Sequence, residues 1–502
     1  MSFISKKFSK IATTLVLTLI FIVIFWSTVT ILSSRQGISN LPSLGSSADK
    51  LAQPQQTYKV KEKKLEINNL KISKYHHQIS PKACAQAFKA REKIRELPVF
   101  LSSYKNDIKQ RQRGKDLCQN KSLLNWSSNH AHLNKGQSQE KVFFGLLHSH
   151  TNHSDGVLSP EENVMINRIL GKLDFMALTD HANFWLNDQM AVWKHQEHIS
   201  EFLSDSSFVF LRGFEYSHVV NGHYIVLNTT NFRSSSKDLT LSQFYQWLSS
   251  EPQSTDSIVF FAHPGFHRYR SVTEFEHFRL DSRIKKNIVG LEVFHWEENQ
   301  AIKKGFQSKS TFFDEALLRG WNVGAIASQD NHDPYVISND SKRIGLILNN
   351  LSKADIIDAL RKRRFYATYS PSLQLSTTIQ DKNNRAHSMG SSLQLRDLPK
   401  QVTAEIQAFN EDKLEQISQV ELVINGQVRQ ILKKARVQSQ ALEGYSVTFP
   451  RTIFERQGRN FFYFRIYLGQ RETPTAITSP FTIEGKLQSL SVYGAKPPRV
   501  TQ

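Results

Sequence analysis

The 502-residue chain has only two cysteines, Cys84 and Cys118, and neither belongs to a C-x-x-C motif. Neither is therefore expected to bind a metal, since paired thiolates are the usual mark of a structural zinc site. In an oxidising compartment the two cysteines could form a disulfide. Two separate buried thiols are an equally good interpretation, and the sequence leaves both open.

Acidic residues are also comparatively few. The chain has 45 Asp and Glu against 64 Lys and Arg, a formal net charge of +19. Such an excess could attract nucleic acid, an anionic surface or an anionic substrate. Much of it is dispersed over residues 60–141, and no RNA-binding, zinc-finger or helix-turn-helix signature accompanies it. A solvated basic surface is therefore favoured over a nucleic-acid-binding tract.

Long apolar runs are missing except at residues 11–32, which carry no charge. This run is long enough to span a bilayer as a helix. Lys6, Lys7 and Lys10 precede it, which predicts a cytoplasmic N-terminus. An uncleaved anchor is favoured over a cleaved signal peptide, because the run is long and no A-x-A site follows. The rest of the chain is then expected outside the cytoplasm, in a bacterial cell envelope or periplasm.

Changes in composition divide the chain into six stretches. Residues 80–115 have a helical pattern, whereas the last large stretch contains strands only. The predicted stretches are a cytoplasmic tip and membrane anchor, 1–35; a linker, 36–57; a mainly helical segment, 58–140; a catalytic domain, 141–394; a β-sandwich, 395–490; and a tail, 491–502.

The catalytic domain alternates short apolar strands with helices. A helix is predicted from Pro160, since Ser159 can cap it and Glu162 can complete a capping box. Ser352 is predicted to cap the start of another helix in the same way. Repeated strand-then-helix units predict an α/β fold with a largely parallel sheet, open or closed into a barrel. The predicted strands are 142–147, 173–178, 208–214, 223–228, 257–262, 288–294 and 322–327.

Ligand-type side chains stand at the ends of these strands, beginning with the stretch "GLLHSHTNHSDG". Strand C-termini converge on one face of a barrel, where active sites form. Imidazole and carboxylate together suit Zn, Mn or Fe, and both histidines of H-x-H on a strand end face the same side. We therefore predict a multi-metal centre. The strand-end residues are His148, His150, Asp155, Asp180, His181, Glu215, His223, His263, His295, Asp330 and His332.

The motifs "HSHTNHSDG", "LTDH", "AHPG" and "SQDNH", with the Glu of "FLRGFE", resemble the successive motifs of the PHP (polymerase and histidinol phosphatase) superfamily. The resemblance covers about residues 141–390 and is greatest to the CehA/McbA-like metallohydrolases. It implies a distorted (β/α)7 barrel followed by a small β domain, and two or three divalent ions of Zn, Mn or Fe. The segment "ALRKRRFYATYSPSLQLS" resembles the one that closes the barrel domain in that branch.

The resemblance also implies roles for individual residues. Glu215 would bridge two ions, and Asp180 would orient His181 rather than bind metal. Arg268 and Arg343 could hold an anionic substrate group by bidentate contacts, with a surface role as an equally good interpretation of each, and His295 could face the substrate. His153, His218 and His267 are expected outside the ligand set. The implied metal ligands are His148, His150, Asp155, His181, Glu215, His223, His263, Asp330 and His332.

The function predicted from these residues is hydrolysis by a metal-bound water that the ions activate to hydroxide. A phosphomonoester or phosphodiester is the favoured small anionic substrate. Carbamate or carboxylic-ester hydrolysis is an alternative, because fold resemblance does not settle the substrate. A 5′–3′ exonuclease or oligonucleotide phosphatase is another, with nucleic acid as substrate only. A surface binding protein with a structural metal site is the non-enzymatic alternative, and no protein partner is indicated.

Overall fold

The computed structural model describes residues 60–61, 72–79, 81–82, 84–85, 118–119, 124–131, 140–184, 189–218, 220–235, 239–250, 252–265, 274–294, 311–332, 342–410, 416–433, 442–454 and 459–485. The predicted anchor, linker and tail lie outside these residues, as does most of 80–115. Within the described ranges, no helix combines the length and the apolar composition needed to cross a membrane.

The stretch from residue 58 to 140 contains three strands: β1 (Val60–Lys61), β2 (Ile72–Gln78) and β3 (Asn125–Ala131). β2 and β3 pair with each other in antiparallel register. The prediction of a mainly helical segment is therefore wrong for its described residues, where helix is limited to 81–82, 84–85, 118–119 and Leu124. The pairing joins residues far apart in the sequence, which a local pattern does not reveal.

A disulfide joins Cys84 and Cys118, which are 34 residues apart. Both cysteines are buried in an apolar core with Ile79 and Leu124, so the bridge ties this stretch to the rest of the fold. Of the two interpretations that the sequence left open, the structure has the disulfide. Disulfides of this kind persist in oxidising compartments.

Seven strands form the curved, barrel-like part of a larger sheet, and they confirm all seven predicted strands. They are β4 (Lys141–Leu146), β5 (Phe175–Leu178), β6 (Val209–His218), β7 (Gly222–Leu227), β8 (Ile258–Ala262), β9 (Ile288–Glu292) and β10 (Gly324–Ile326). Their order in the sheet is β10-β9-β8-β7-β6-β5-β4. Neighbouring strands are parallel except at β7, which runs antiparallel to β6 and β8.

The two ends of this curved sheet meet just beyond the C-termini of β4 and β10. Ser149 forms a parallel bridge with Asn331, and the His150 backbone N–H donates to the Asn331 carbonyl at 2.8 Å. One apolar core, with Phe143, Ile225 and Ile326 among its members, fills the interior of the curved sheet. Strand C-termini are thereby gathered at one mouth, as a barrel requires.

Among the described residues, the helices that accompany the strands include α1 (Pro160–Leu170), α2 (Gln189–Leu203), α3 (Leu241–Ser249), α4 (Gln253–Asp256), α5 (Phe312–Leu318) and α6 (Lys353–Lys362). The capping box that Ser159 and Glu162 predict for α1 is present, with Pro160 at the first helical position. Ser352 caps α6 by accepting from the Asp355 backbone N–H, as predicted.

The remaining strands of the described residues are β11 (Arg343–Leu348), β12 (Phe365–Thr368), β13 (Leu373–Gln380), β14 (Ala386–Ser388), β15 (Ser392–Gln394), β16 (Gln401–Asn410), β17 (Ile417–Ile424), β18 (Gln427–Lys433), β19 (Leu442–Pro450), β20 (Asn460–Leu468), β21 (Ala476–Thr478) and β22 (Phe481–Glu484). Beyond β4 the larger sheet continues through β11, β12, β21, β20, β17 and β18. A second sheet has the strand order β1-β19-β16-β13-β14.

One apolar core includes residues of both sheets, for example Ile406 on β16 and Phe464 on β20. This is the predicted sandwich, but it begins at β13, before residue 395, and it recruits β1 from the N-terminal stretch. Asn425 and Gly426 form the hairpin turn between β17 and β18, with φ of 50° and 76°. Two consecutive positive φ values are the mark of a type I′ turn.

A buried charged network joins the barrel helix α5 to the sandwich strand β20. Asp314 accepts from the Tyr463 hydroxyl at 2.9 Å and lies 3.5 Å from the Arg465 guanidinium. All three side chains are buried, so each depends on its partners for hydrogen bonds. The network thus provides the hydrogen bonds that these polar groups would make to water if they were exposed, at a contact between elements that are distant in the sequence.

We expect Asp314→Ala to destabilise the protein by about 3 kcal/mol, because Arg465 then keeps a buried charge without its closest carboxylate. Tyr463→Phe is the matched control, since it removes one hydrogen bond and should cost about 1 kcal/mol. Thermal unfolding of the detergent-solubilised full-length protein measures both. Equal melting temperatures for the two variants would contradict a role for the ion pair.

Candidate metal centre

The Glu215 carboxylate lies at the middle of the barrel mouth, fully buried and surrounded by five imidazoles. One oxygen, Oε2, is 3.4 Å from His148 Nε2, 3.3 Å from His150 Nε2 and 2.9 Å from His181 Nδ1. The other oxygen, Oε1, is 2.5 Å from His223 Nδ1 and 3.3 Å from His263 Nε2. Each oxygen thus faces its own group of nitrogens, the geometry required of a carboxylate that bridges two cations.

Asp330 lies close to three of the same nitrogens. Its Oδ1 is 3.0 Å from His150 Nε2 and 3.2 Å from His148 Nε2, and its Oδ2 is 3.9 Å from His263 Nε2. Asp330 follows β10, whereas the two histidines follow β4. The meeting of β4 and β10 therefore assembles this part of the centre.

Asp155 and His332 form the outer, more exposed part of the centre. Asp155 Oδ1 is 3.3 Å from His332 Nε2 and 3.6 Å from His150 Nδ1, and its Oδ2 is 3.4 Å from His181 Nε2. About two fifths of the Asp155 side chain is exposed, 42%, whereas His150 is fully buried. The centre therefore opens to solvent on this side, where a substrate could enter.

These residues form four overlapping groups in which all candidate ligand atoms lie within 4.8 Å of one another. The groups contain all nine implied ligands, although the sequence places them on six separate strand ends. The groups are His150, Asp155, His181 and His332; His148, His150 and Glu215; His148, His263 and Asp330; and His181, Glu215 and His223.

The donor set fits divalent metal ions better than it fits a hydrogen-bond network. His148 Nε2 and His150 Nε2 are only 3.0 Å apart, and both face the same carboxylates. The buried Asp330 Oδ1 lies close to imidazole nitrogens, yet no hydrogen bond with proper geometry reaches it. Converging lone pairs without properly aimed protons are what a cation satisfies, and mixed imidazole and carboxylate ligands suit Zn, Mn or Fe.

Two residues of the set sit on unusual backbone. His263 and Asp330 have φ of 28° and 52°, in the left-handed region that residues other than glycine seldom adopt. Each follows a barrel strand directly or within a few residues. Such strain persists where the surrounding structure holds it, and it clusters at functional sites. At both positions the strained turn aims the side chain into the mouth.

Mutual electrostatics shift the pKa values of Glu215 and His181 in opposite directions. Burial alone would raise the pKa of Glu215, but the neighbouring imidazoles, chiefly His223 and His181, hold it well below its usual value. Burial alone would lower the pKa of His181, but Glu215 and Asp155 raise it to about 10. Without a metal, these shifts favour a protonated His181 beside an ionised Glu215.

Glu292, at the end of β9, belongs to the centre but was not predicted from the sequence. It is buried, and its Oε1 is 2.9 Å from His148 Nδ1 while its Oε2 accepts from the His263 backbone N–H at 2.8 Å. It thereby fixes the orientation of His148, as carboxylates commonly do for metal-binding histidines. The only sequence signal was a Glu at a strand end, in "IVGLEVF".

Asp180 supports the centre differently from the prediction. Its carboxylate accepts from the Thr151 backbone N–H at 2.7 Å, the Thr151 hydroxyl at 2.8 Å and the Ser154 hydroxyl at 2.7 Å. These bonds hold the loop between His150 and Asp155 in place, rather than orienting His181. The alternating backbone sends Asp180 and His181 to different sides, which the T-D-H motif alone does not reveal.

The predicted substrate-binding role of Arg343 is wrong. Arg343 is buried, and its guanidinium donates to the Gly171 carbonyl at 3.2 Å and faces the Asp174 carboxylate. Its neighbour Ile344 faces the barrel interior, so Arg343 points to the outer face of β11. The other two residues predicted to contact substrate, Arg268 and His295, lie outside the described residues, as does His267.

Three further histidines have partners outside the ligand groups. His195 Nε2 is 2.8 Å from the Glu161 carboxylate, and His195 Nδ1 is 3.3 Å from His153 Nε2. His153 is thus turned towards α2, in agreement with its exclusion from the ligand set. His218 accepts from the Val220 and Asn221 backbone N–H groups, a structural role in a turn.

Comparison with solved structures gives two distant likenesses. A two-domain protein from Bacteroides vulgatus ATCC 8482, described as containing a predicted PHP-like metal-dependent phosphoesterase, shares 16% sequence identity. The alignment covers 70% of this chain and 99% of that chain, with a TM-score of 0.37. PsfC from Pseudomonas syringae PB-5123 shares 11% identity over 41% of this chain and 82% of that chain, with a TM-score of 0.29. No protein-family model and no curated protein matches the chain.

We expect the double variant His148→Ala, His150→Ala to lose its metal ions, because three of the four ligand groups contain one or both residues. Glu292→Gln should keep the ligand set but weaken metal affinity about tenfold to a hundredfold, since it loosens His148. His198→Ala, at a histidine that is 86% exposed, is the matched control and should bind metal normally. Elemental analysis and competition with a chelator measure the affinities; full metal content in the double variant would contradict the assignment.

Metal binding should release protons at neutral pH. His148, His181 and His263 have pKa values raised by the surrounding carboxylates, against the lowering effect of burial, so they hold protons that a metal must displace. Metal affinity is therefore expected to rise with pH through the neutral range. Calorimetric titration of Zn into metal-free protein, in two buffers of different ionisation enthalpy, measures the release. Equal heats in the two buffers would contradict this prediction.

Proposed function

We propose that this protein is a metal-dependent hydrolase of phosphate esters, anchored in a membrane by residues 11–32 with its catalytic region outside the cytoplasm. The observation that carries the catalytic part is the bridging geometry of Glu215, with a separate group of imidazole nitrogens at each carboxylate oxygen. Phosphoryl transfer in particular uses paired cations to hold both the attacking and the leaving oxygen.

In this proposal, the protein's own side chains hold the reacting groups in place. When bound, the ions supply Lewis acidity and lower the pKa of a water molecule towards neutrality. Glu292 fixes His148, and Asp180 fixes the loop that carries Asp155. Hydrolysis consumes one water, breaks the phosphorus–oxygen ester bond, and releases an alcohol and a phosphate. The open side near Asp155 and His332 is the route for substrate and product.

The proposed location outside the cytoplasm is supported by two features. The apolar run at 11–32 is preceded by lysines, the arrangement of an anchor with a cytoplasmic N-terminus. The Cys84–Cys118 disulfide is of a kind that persists in an oxidising compartment. Both features support a catalytic region on the non-cytoplasmic side of the membrane.

Hydrolysis by the full-length protein in detergent tests the function. The protein is stripped of metal, refilled with Zn, Mn or Fe, and assayed with p-nitrophenyl phosphate, bis-p-nitrophenyl phosphate and p-nitrophenyl acetate. We expect metal-dependent release from a phosphate substrate. Release from the acetate alone would replace the proposal with carboxylic-ester or carbamate hydrolysis. Full metal occupancy without any release would favour a binding protein.

A further inference from the structure

Lys342 stands immediately before β11, at the mouth of the barrel. Ile344 of β11 pairs with Gly145 of β4 in antiparallel register. Extended by two residues, this register brings Lys342 opposite Leu147, the residue before His148. The backbone of Lys342 is therefore next to the strand end that supplies the first two histidines of the centre.

The alternation of side chains along β11 directs Lys342 inward. Ile344 and Leu346 belong to the core inside the barrel, whereas Ile347 belongs to the sandwich core on the other face. Residues two apart share a face, so Lys342 is on the interior side and Arg343 on the outer side. The Arg343 contact with Gly171 agrees with this division.

The surroundings of Lys342 are acidic, but its ammonium is not paired with any carboxylate of the described residues. Burial lowers the pKa of its ammonium, and Glu292 and Asp330 act against that lowering. In the part of the chain that the structure describes, the ammonium forms no hydrogen bond or ion pair. Its three N–H donors therefore remain available to another group at the mouth.

The charge balance of the centre indicates what such a donor could bind. Four carboxylates contact its histidines: Asp155, Glu215, Glu292 and Asp330. In a centre of two divalent cations, these four charges would be neutralised and no positive charge would be left over for an anionic substrate. An ammonium at the rim supplies the missing positive charge, and lysine commonly binds phosphate in this way, as a point charge.

We infer that Lys342 binds an oxygen of an anionic phosphoryl group at the metal centre, and so makes the site prefer phosphate esters over neutral esters. This inference rests on the proposed function, because it assigns the substrate class of the same site. Lys342 is the positioning residue for the anion, and the imidazole and carboxylate cluster retains its metal ions without it.

The test compares Lys342→Met, Lys342→Arg and a control, Lys353→Met, at an exposed lysine on α6. In Lys342→Met, the affinity of the metal-loaded protein for inorganic phosphate, measured by calorimetry, should fall about tenfold to a hundredfold. Turnover of p-nitrophenyl phosphate should fall mainly through a higher KM. Metal content and any turnover of p-nitrophenyl acetate should not change. Lys342→Arg should restore phosphate binding, and Lys353→Met should match the unmodified protein.

Two results would overturn the inference. Unchanged phosphate affinity in Lys342→Met would show that the ammonium does not contact the anion. Loss of metal content in that variant, together with normal phosphate affinity per bound metal, would make Lys342 only a counter-charge for Glu292 and Asp330. Phosphate binding is measured without turnover, so an unmodified protein that binds phosphate but hydrolyses no ester would refute the proposed function and leave the inference standing.

Discussion

The structure of the barrel mouth depends on one constraint, the burial of the Glu215 carboxylate. A buried charge is costly unless partners surround it, and here five imidazoles do so. Those imidazoles come from the ends of several strands, so the strands must end at one level and the sheet must curve until they meet. The contact between residues after β4 and after β10 completes this curvature, and the same contact brings Asp330 to the histidines.

The β-sandwich helps to hold β4, the strand that precedes His148 and His150. β4 is covered on both faces, since Phe143 packs inside the barrel while Val142 and Phe144 pack in the core shared with the five-stranded sheet. A strand fixed on both faces cannot shift without disturbing two cores at once. His148 and His150 follow this strand directly, so the sandwich contributes to the precision of the centre without providing any ligand.

Local patterns in the sequence predict the barrel strands, the capped helices and a metal centre at the strand ends, and the resemblance to the PHP superfamily implies the nine residues that meet at the mouth. Other features depend on contacts that no local pattern contains. Glu292 is a single carboxylate in an apolar strand, and its role follows only from its approach to His148. The pairing of β2 with β3, and of β1 with β19, joins distant segments. The side to which Arg343 points depends on the strand register.

The register of β11 places two adjacent basic residues on opposite faces of the strand, where they have different roles. Lys342 and Arg343 are chemically similar, yet one is directed to the mouth and the other is buried against Gly171 and Asp174. A slip of one residue would exchange them, because it turns every side chain to the opposite face. Ile344, Leu346 and Leu348 prevent the slip by filling the barrel interior, while Ile347 fills the sandwich core. The apolar pattern of β11 therefore determines which cation faces the centre, and hydrophobic packing controls the electrostatics of the site.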